Sequence, residues 1–481
     1  MSEREFPHLA GLSAGRRFGD GAWLVSCIGL FLLATPLLPT DGLGAHNLAR
    51  LCQLPLLLIC VAWLLRHPPA WRSDRRAVVL GVLLFSAAAL SSALAPMPPV
   101  AFREVVLLLA LAALAAAIAA SLASAARRLL LAKWLVAAGG SYVVIQALIY
   151  LISLSEGVQP SSWSLAFGYD NPRFLNHVQA IAVPLLVGMA NIDALDRRWK
   201  AIAWLAAVVH LALAFATFGR STLVALLLAS AFALMFLRQA GRQFGLRLLL
   251  VMAVGAVANL ILFIALPSLL GANQAINPAL ISEPTSDHSR MYLWRIAMEH
   301  IQAHPLLGIG PMHFAHFQNL KGAHPHNFYL QFAAEFGLPA TVLLLALIGW
   351  ALLGAVGRVR RHECASPVLA ASSLCACIAA LVDALFSGNF VMPASQVWAA
   401  VAVGIATACC ARASSPPAPT LTARQAWLRR AGLLVLLASA ACATAMAAFE
   451  ALGDPPQIGY RGVDPAYNSM PRPRFWRQGW F

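Results

Sequence analysis

Charge is scarce in this chain, and negative charge is scarcest. Only 11% of the 481 residues are charged, 19 Asp and Glu against 34 Lys and Arg, whereas soluble domains carry roughly 25%. With 60% hydrophobic residues and a mean hydropathy of +0.73, the composition excludes a water-soluble domain. Cysteine pairing is missing as well. Cys27, Cys52, Cys60, Cys375, Cys377, Cys409, Cys410 and Cys442 lie in apolar runs, Cys364 lies in a basic loop, and none falls in a long polar segment. That excludes a disulfide framework, and Cys375-Ala-Cys377 and Cys409-Cys410 have no second pair at zinc-ligand spacing. No internal repeat and no cleavable signal stand out. The apolar run after Arg4, Arg16 and Arg17 is too long for a signal peptide and reads as a first membrane span.

What is present is a series of apolar runs separated by basic gaps. The net charge of +15 would suggest nucleic acid in a soluble protein. Here the basic residues punctuate runs of roughly 20 apolar residues, so the excess marks topology and lipid-headgroup contact, and nucleic acid is not an expected partner. Thirteen candidate spans fall near 22–39, 51–65, 77–95, 104–123, 129–152, 175–191, 201–218, 222–237, 248–270, 338–356, 367–386, 391–411 and 431–448. The Arg-rich gaps alternate: the N-terminal tail, Arg66 to Arg76, Arg127-Arg128, Arg197 to Lys200, Arg238 to Arg247, Arg358 to Arg361, and Arg424 to Arg430. By the positive-inside rule these are cytoplasmic, and the other gaps face outward. The expected fold is an all-α integral membrane protein of about 12–13 transmembrane helices. Its expected parts are an N-terminal bundle over 1–270, an external loop over 271–337, a C-terminal bundle over 338–448 and an external tail over 449–481.

The external loop is by far the longest polar stretch, and loops of such length are usually functional. Met291 to Ile301 places apolar residues at helical spacing, with Ser286, Asp287 or Ser289 as N-cap, which predicts an amphipathic helix at the membrane surface. Ser161-Ser162-Trp163 and Gly168 to Pro172 make 153–174 a turn-rich loop over the same region. Seven of the 13 histidines (His288, His300, His304, His313, His316, His324 and His326) lie between 288 and 326. Histidine exchanges protons near neutral pH. A metal site is not expected, because no Cys joins them and carboxylates are sparse. Pro325 breaks helix just before His326-Asn327, which places both at the electropositive N-terminal end of the helix leading into span 338–356. A neutral histidine there suits a general base. Arg220, in Phe218-Gly219-Arg220-Ser221 between two spans with almost no loop, lies at membrane depth, and Arg290 and Arg295 lie on the amphipathic helix. Guanidinium forks suit phosphate oxygens.

This constellation resembles the O-antigen ligase/polymerase superfamily of bacterial membrane glycosyltransferases. The likeness is carried by Phe218-Gly219-Arg220-Ser221, by Arg290-x3-Trp294-x2-Ala297, by His304-Pro305-Leu306-Leu307-Gly308-Ile309-Gly310-x3-Phe314, and by His324-Pro325-His326-Asn327-x2-Leu330-Gln331-x3-Glu335-x-Gly337. The resemblance implies an inner-membrane enzyme with a periplasmic loop over its site. It implies transfer of a glycan from undecaprenyl diphosphate to an acceptor hydroxyl without metal or cofactor. His326 matches the family's essential histidine, Arg220 and Arg290 match the arginines assigned to the lipid diphosphate, and His324, Asn327 and Glu335 match further motif positions. Two departures stand out: Gly219-Arg220-Ser221 where many members have serine-arginine-glycine, and a thirteenth span with a basic tail beyond the usual twelve. Lipid A-core, a pilin-like protein and a growing glycan share this donor chemistry as acceptors, with lipid A-core ligation the leading expectation. A transporter or flippase, the non-enzyme alternative, should show polar or Gly/Pro-broken helices in paired halves; Pro184 and Gly139-Gly140 are the nearest to such breaks.

Overall fold

The computed structural model describes residues 15–38, 43–68, 74–272, 285–317, 319, 321–410, 422–452 and 473–481. Hydrocarbon cannot satisfy a peptide N–H or C=O, so spanning segments close their hydrogen bonds within a helix. Among the described residues the protein is all-α, with no β-strand. Its helices are α1 (Gly15–Ala34), α2 (Ala45–Arg66), α3 (Arg75–Ala93), α4 (Pro98–Ser121), α5 (Ala125–Ser155), α6 (Pro172–Met189), α7 (Arg197–Ala216), α8 (Arg220–Phe236), α9 (Arg238–Leu260), α10 (Thr285–Ala303), α11 (Phe328–Phe336), α12 (Leu338–Arg360), α13 (Pro367–Asp383), α14 (Pro393–Cys410) and α15 (Ala423–Leu452). All thirteen apolar runs fold as helices, α1–α9 and α12–α15. Nine helices among the described residues are long and apolar enough to cross a membrane, and α1, α8 and α13 carry shorter apolar stretches.

Local signals set the starts. Asp74 and Asn171 accept the N–H two residues on, from Arg76 at 2.7 Å and Arg173 at 2.8 Å, and proline occupies the first turn of α4, α6, α12 and α13. Both are ordinary helix-start devices, because the first N–H groups have no partner inside the helix. The bundle is centred on α6 and α13, which pack on each other and on α14. In α6 every residue except Arg173 and Phe174 is buried, including Asn176, His177 and Gln179. Around this pair, α7, α9, α5 and α1 form one flank, α4, α2 and α15 the other, and α3 and α12 pack together.

The connections sort to two ends. At one end Asp170 accepts from His46 N at 2.8 Å, Met97 N donates to His313 Nε2 at 3.0 Å, Phe328 N donates to Ala384 O at 2.9 Å, and Arg50 donates to Val391 O at 2.9 Å. At the other end Lys133 meets Asp196 at 3.9 Å and Ala365 N reaches Cys409 O at 3.0 Å, among the Arg-rich gaps.

Two local expectations change. The amphipathic helix starts at Thr285, so Ser286, Asp287 and Ser289 lie inside it rather than capping it. The span at 338 does not begin at His326-Asn327: Gly337, at φ +84, separates a nine-residue α11 from α12. A Cβ on Gly337 would lie 2.3 Å from Leu306 O, so only glycine allows that break. Residues 273–284, the linker Ser414–Pro419, and 453–472, including Tyr460, lie outside the described residues.

The alternation of basic gaps yields a test. Alkaline phosphatase, active only outside the cytoplasm, should be inactive when fused after Arg361 and active when fused after Phe481. The reverse pattern would refute the thirteen-crossing orientation.

Candidate functional site

Three corners of backbone build the site at the end of the bundle opposite the Arg-rich gaps. Each contains a non-glycine residue in the left-handed region: Phe218 at φ 52, Met312 at φ 69 and His326 at φ 53. Such conformations cost energy and persist only where the surroundings fix them.

The first corner joins α7 to α8. Asn176 of α6 accepts from the Thr217 hydroxyl at 2.9 Å, and its carbonyl accepts from the Thr222 hydroxyl at 2.9 Å. Its amide fills the space where a Cβ on Gly219 would sit, 2.5 Å away. Arg173 donates to the carbonyls of Thr217 and Phe218. This lattice holds Arg220 at the first position of α8, where it is exposed. No described side chain is paired with its guanidinium, which stands open to an anion.

The second corner explains the Gly308-Ile309-Gly310 run. Ile309 N donates to Ala334 O at 2.9 Å and Gly310 N to Glu335 O at 3.0 Å, so this arm caps the last carbonyls of α11. A Cβ on Gly308 would lie 2.4 Å from the Glu335 carbonyl carbon. The run is a close-packing device, not a phosphate cradle. His313 is buried in the following turn. Its Nε2 accepts from Met97 N at 3.0 Å and its Nδ1 donates to Pro311 O at 2.8 Å, a structural role.

The third corner carries His326. Trp294 of α10 donates to Pro325 O at 3.0 Å, His326 N donates to His324 Nδ1 at 3.2 Å, and Asn327 caps α11 by accepting from Leu330 N at 3.0 Å. The two imidazoles lie 4.2 Å apart. His324 is buried, with Nε2 lacking a hydrogen-bond partner among the described residues. Burial pushes His326 down to about 3, and the charge of Arg290 and then His177 push the same way. At neutral pH the His326 imidazole is therefore neutral. Arg290 is brought beside it; Arg295 is not. Arg295 is exposed and pairs with Glu299 at 3.8 Å over the Tyr292 ring.

Glu335 closes the far end of α11. Fully buried, it accepts from Phe314 N at 3.1 Å and Arg474 at 2.5 Å, with the Gln331 amide beside both. Burial pushes its carboxyl up to about 7 against the pull of Arg474.

Sequence reasoning missed three groups. His177 of α6 lies 3.2 Å from Asp383 of α13, whose other neighbour is the Ser387 hydroxyl at 2.7 Å. A histidine and an aspartate inside apolar runs were the available signal, since ionisable groups at membrane depth are functional by default. Arg474 had no such signal in its polar stretch.

With this geometry in place, the comparison with known families is specific. Residues 203–345 match the family described as O-Antigen ligase, an interval that contains Arg220, Arg290, His324, His326, Asn327 and Glu335. The match bears out the superfamily resemblance and its class, the O-antigen ligase/polymerase-type glycosyltransferases. No curated protein matches the chain.

Gly388 tests the site's packing. A Cβ there would lie 2.4 Å from His324 Cε1, whereas Gly354 has open space. Gly388→Ala should displace the His324 and His326 pair and cost about 1–3 kcal/mol, seen as a lowered melting temperature in detergent. Gly354→Ala should melt like the parent. Equal melting of both variants would refute the tight packing.

Proposed function

We propose that this protein is an inner-membrane glycosyltransferase, its site facing the periplasm, that transfers a glycan from undecaprenyl diphosphate to an acceptor hydroxyl, with lipid A-core as the acceptor. The observation that carries this reading is His326, a neutral imidazole in a fixed left-handed corner beside Arg290. Arg220, at the lip of the same end, supports it as a second cation for a lipid-borne diphosphate.

The reaction is one displacement. The acceptor oxygen attacks the anomeric carbon and forms the new C–O bond, while the bond from that carbon to the diphosphate oxygen breaks and its electron pair leaves with undecaprenyl diphosphate. His326 takes the hydroxyl proton, worth typically 10²–10⁴-fold. Arg220 and Arg290 offset the charge gathering on the leaving diphosphate, which is the larger electrostatic contribution. Diphosphate departs without protonation, so no general acid is needed, and a single attack inverts the sugar carbon. Asn327 and His324 fix the corner from which His326 works, and Arg295, turned toward Glu299, stays outside the reaction. The residues reach this chemistry without metal or organic cofactor.

Purified protein with extracted undecaprenyl-linked glycan checks the assignment. His326→Ala should lose transfer by about 10²–10⁴-fold while still binding donor. Arg220→Lys should fall nearly as far as Arg220→Ala, because an ammonium lacks the planar fork, and EDTA should leave the rate unchanged. An active His326→Ala, or full EDTA sensitivity, overturns the mechanism. In a deletion strain, loss of glycan from core lipid supports the assigned acceptor, whereas loss from pilin alone moves the acceptor to protein.

A further inference from the structure

The segment 473–481 does not hang off the bundle. It is threaded into the same end as the site. Phe475, Trp476 and Trp480 are buried, and Trp480 packs on Ala315 and Ala323, a few residues from each histidine corner. The Phe475 carbonyl accepts from His46 Nε2 and Arg50 Nε, both at 3.1 Å, and Trp476 donates to Glu450 at 2.7 Å. His316 Nδ1 lies 3.1 Å from Phe481 O. At its centre Arg474, 2% exposed, sends one arm of its fork to Glu104 of α4 at 3.2 Å and the other to Glu335 at 2.5 Å.

Resting on the transfer reading above, we propose that Arg474 is a positioning residue for that reaction. By holding Glu335 as an anion, it locks the 308–314 arm onto α11 and so keeps His326, at the other end of that helix, in its working corner. The chain of contacts is continuous. Arg474 holds Glu335, and the Glu335 carboxylate holds Phe314 N. The Glu335 carbonyl takes Gly310 N and the Ser91 hydroxyl, and α11 begins at Asn327, which caps it directly after His326. A buried carboxylate keeps its charge only beside a fixed partner, and the guanidinium fork serves two carboxylates at once.

The groups facing Glu335 set the sign of the test. They are Arg474 from the 473–481 strap, Glu104 from α4, Gln331 one turn back on α11, the Phe314 N–H, and the Ser91 hydroxyl of α3 on its carbonyl. His313, in the same turn as Phe314, faces Arg474 and is held below its ordinary value by burial, so it is neutral near pH 7. Arg474 favours the charged form of Glu335, and Glu104 disfavours it. With His326 already neutral at pH 7, the acid limb of turnover is expected to follow Glu335, whose carboxyl burial pushes up to about 7. Arg474→Met should raise that limb and lower kcat by about 10²-fold, the scale of an ångström-level misplacement. Glu104→Gln should lower the limb. Donor KM should stay within about two-fold of the parent in both, because the diphosphate arginines lie elsewhere.

The experiment measures kcat and donor KM against pH for the full chain in detergent, for the parent, Arg474→Met, Glu104→Gln and His326→Ala. Limbs displaced in opposite directions at constant donor KM support the positioning role, since general damage would not move two limbs apart. If Arg474→Met fails to bind donor, Glu104→Gln decides alone, and an unmoved limb in it overturns the proposal. An inactive His326→Ala beside unmoved limbs refutes Arg474's role while sparing the transfer reading. An active His326→Ala refutes that reading itself.

Discussion

Hydrocarbon offers a peptide group no partner, and most of this structure follows from that constraint. Across the bundle the chain is helical and apolar, so its irregular backbone is confined to the ends. The corners at Phe218, Met312 and His326 gather at one end, where turns bring non-neighbouring elements within hydrogen-bond distance. The same confinement explains why the chemistry-bearing side chains sit on helix starts and short turns. Arg220 opens α8 and Asn327 caps α11, positions where N–H groups point outward and the helix dipole favours an anion.

Buried charge among the described residues, unlike the Arg-rich gaps at the other end, gathers where it holds these corners. Arg474 with Glu104 and Glu335, Arg103 with Glu450 at 3.0 Å, and Arg50 with Gln53 and Gln396 are buried or half-buried at the site end. Removing one partner from a fully buried pair such as Arg474–Glu335 costs on the order of 3–5 kcal/mol, because the other is left charged and dry. The pairs join α2, α4, α11, α14, α15 and the strap, elements far apart in sequence.

The site divides its labour accordingly. Arg220 is exposed and His326 half-buried, while Asn176, His324 and Glu335 are buried, Asn176 accepting from the Thr217 hydroxyl and His324 and Glu335 each from a backbone N–H. Burial also keeps the His326 imidazole neutral at pH 7.

The sequence by itself determined the element list. Each of the thirteen apolar runs is a helix, because a run long enough to span hydrocarbon has no other way to satisfy its backbone. The motif residues Arg220, Arg290 and His326 could also be picked out in the sequence, and they fall within the matched family interval 203–345. Tertiary structure alone decided the rest. It ended α11 at Gly337, turned Arg295 away while keeping Arg290 beside His326, converted the Gly308-Ile309-Gly310 run into a helix cap, and paired His177 with Asp383 across about 200 residues, as long-range side-chain contacts do. Above all it placed Arg474 under Glu335. Periodicity and composition report how each segment meets its solvent, but which buried charges meet depends on packing between distant segments, and no local pattern encodes that distance.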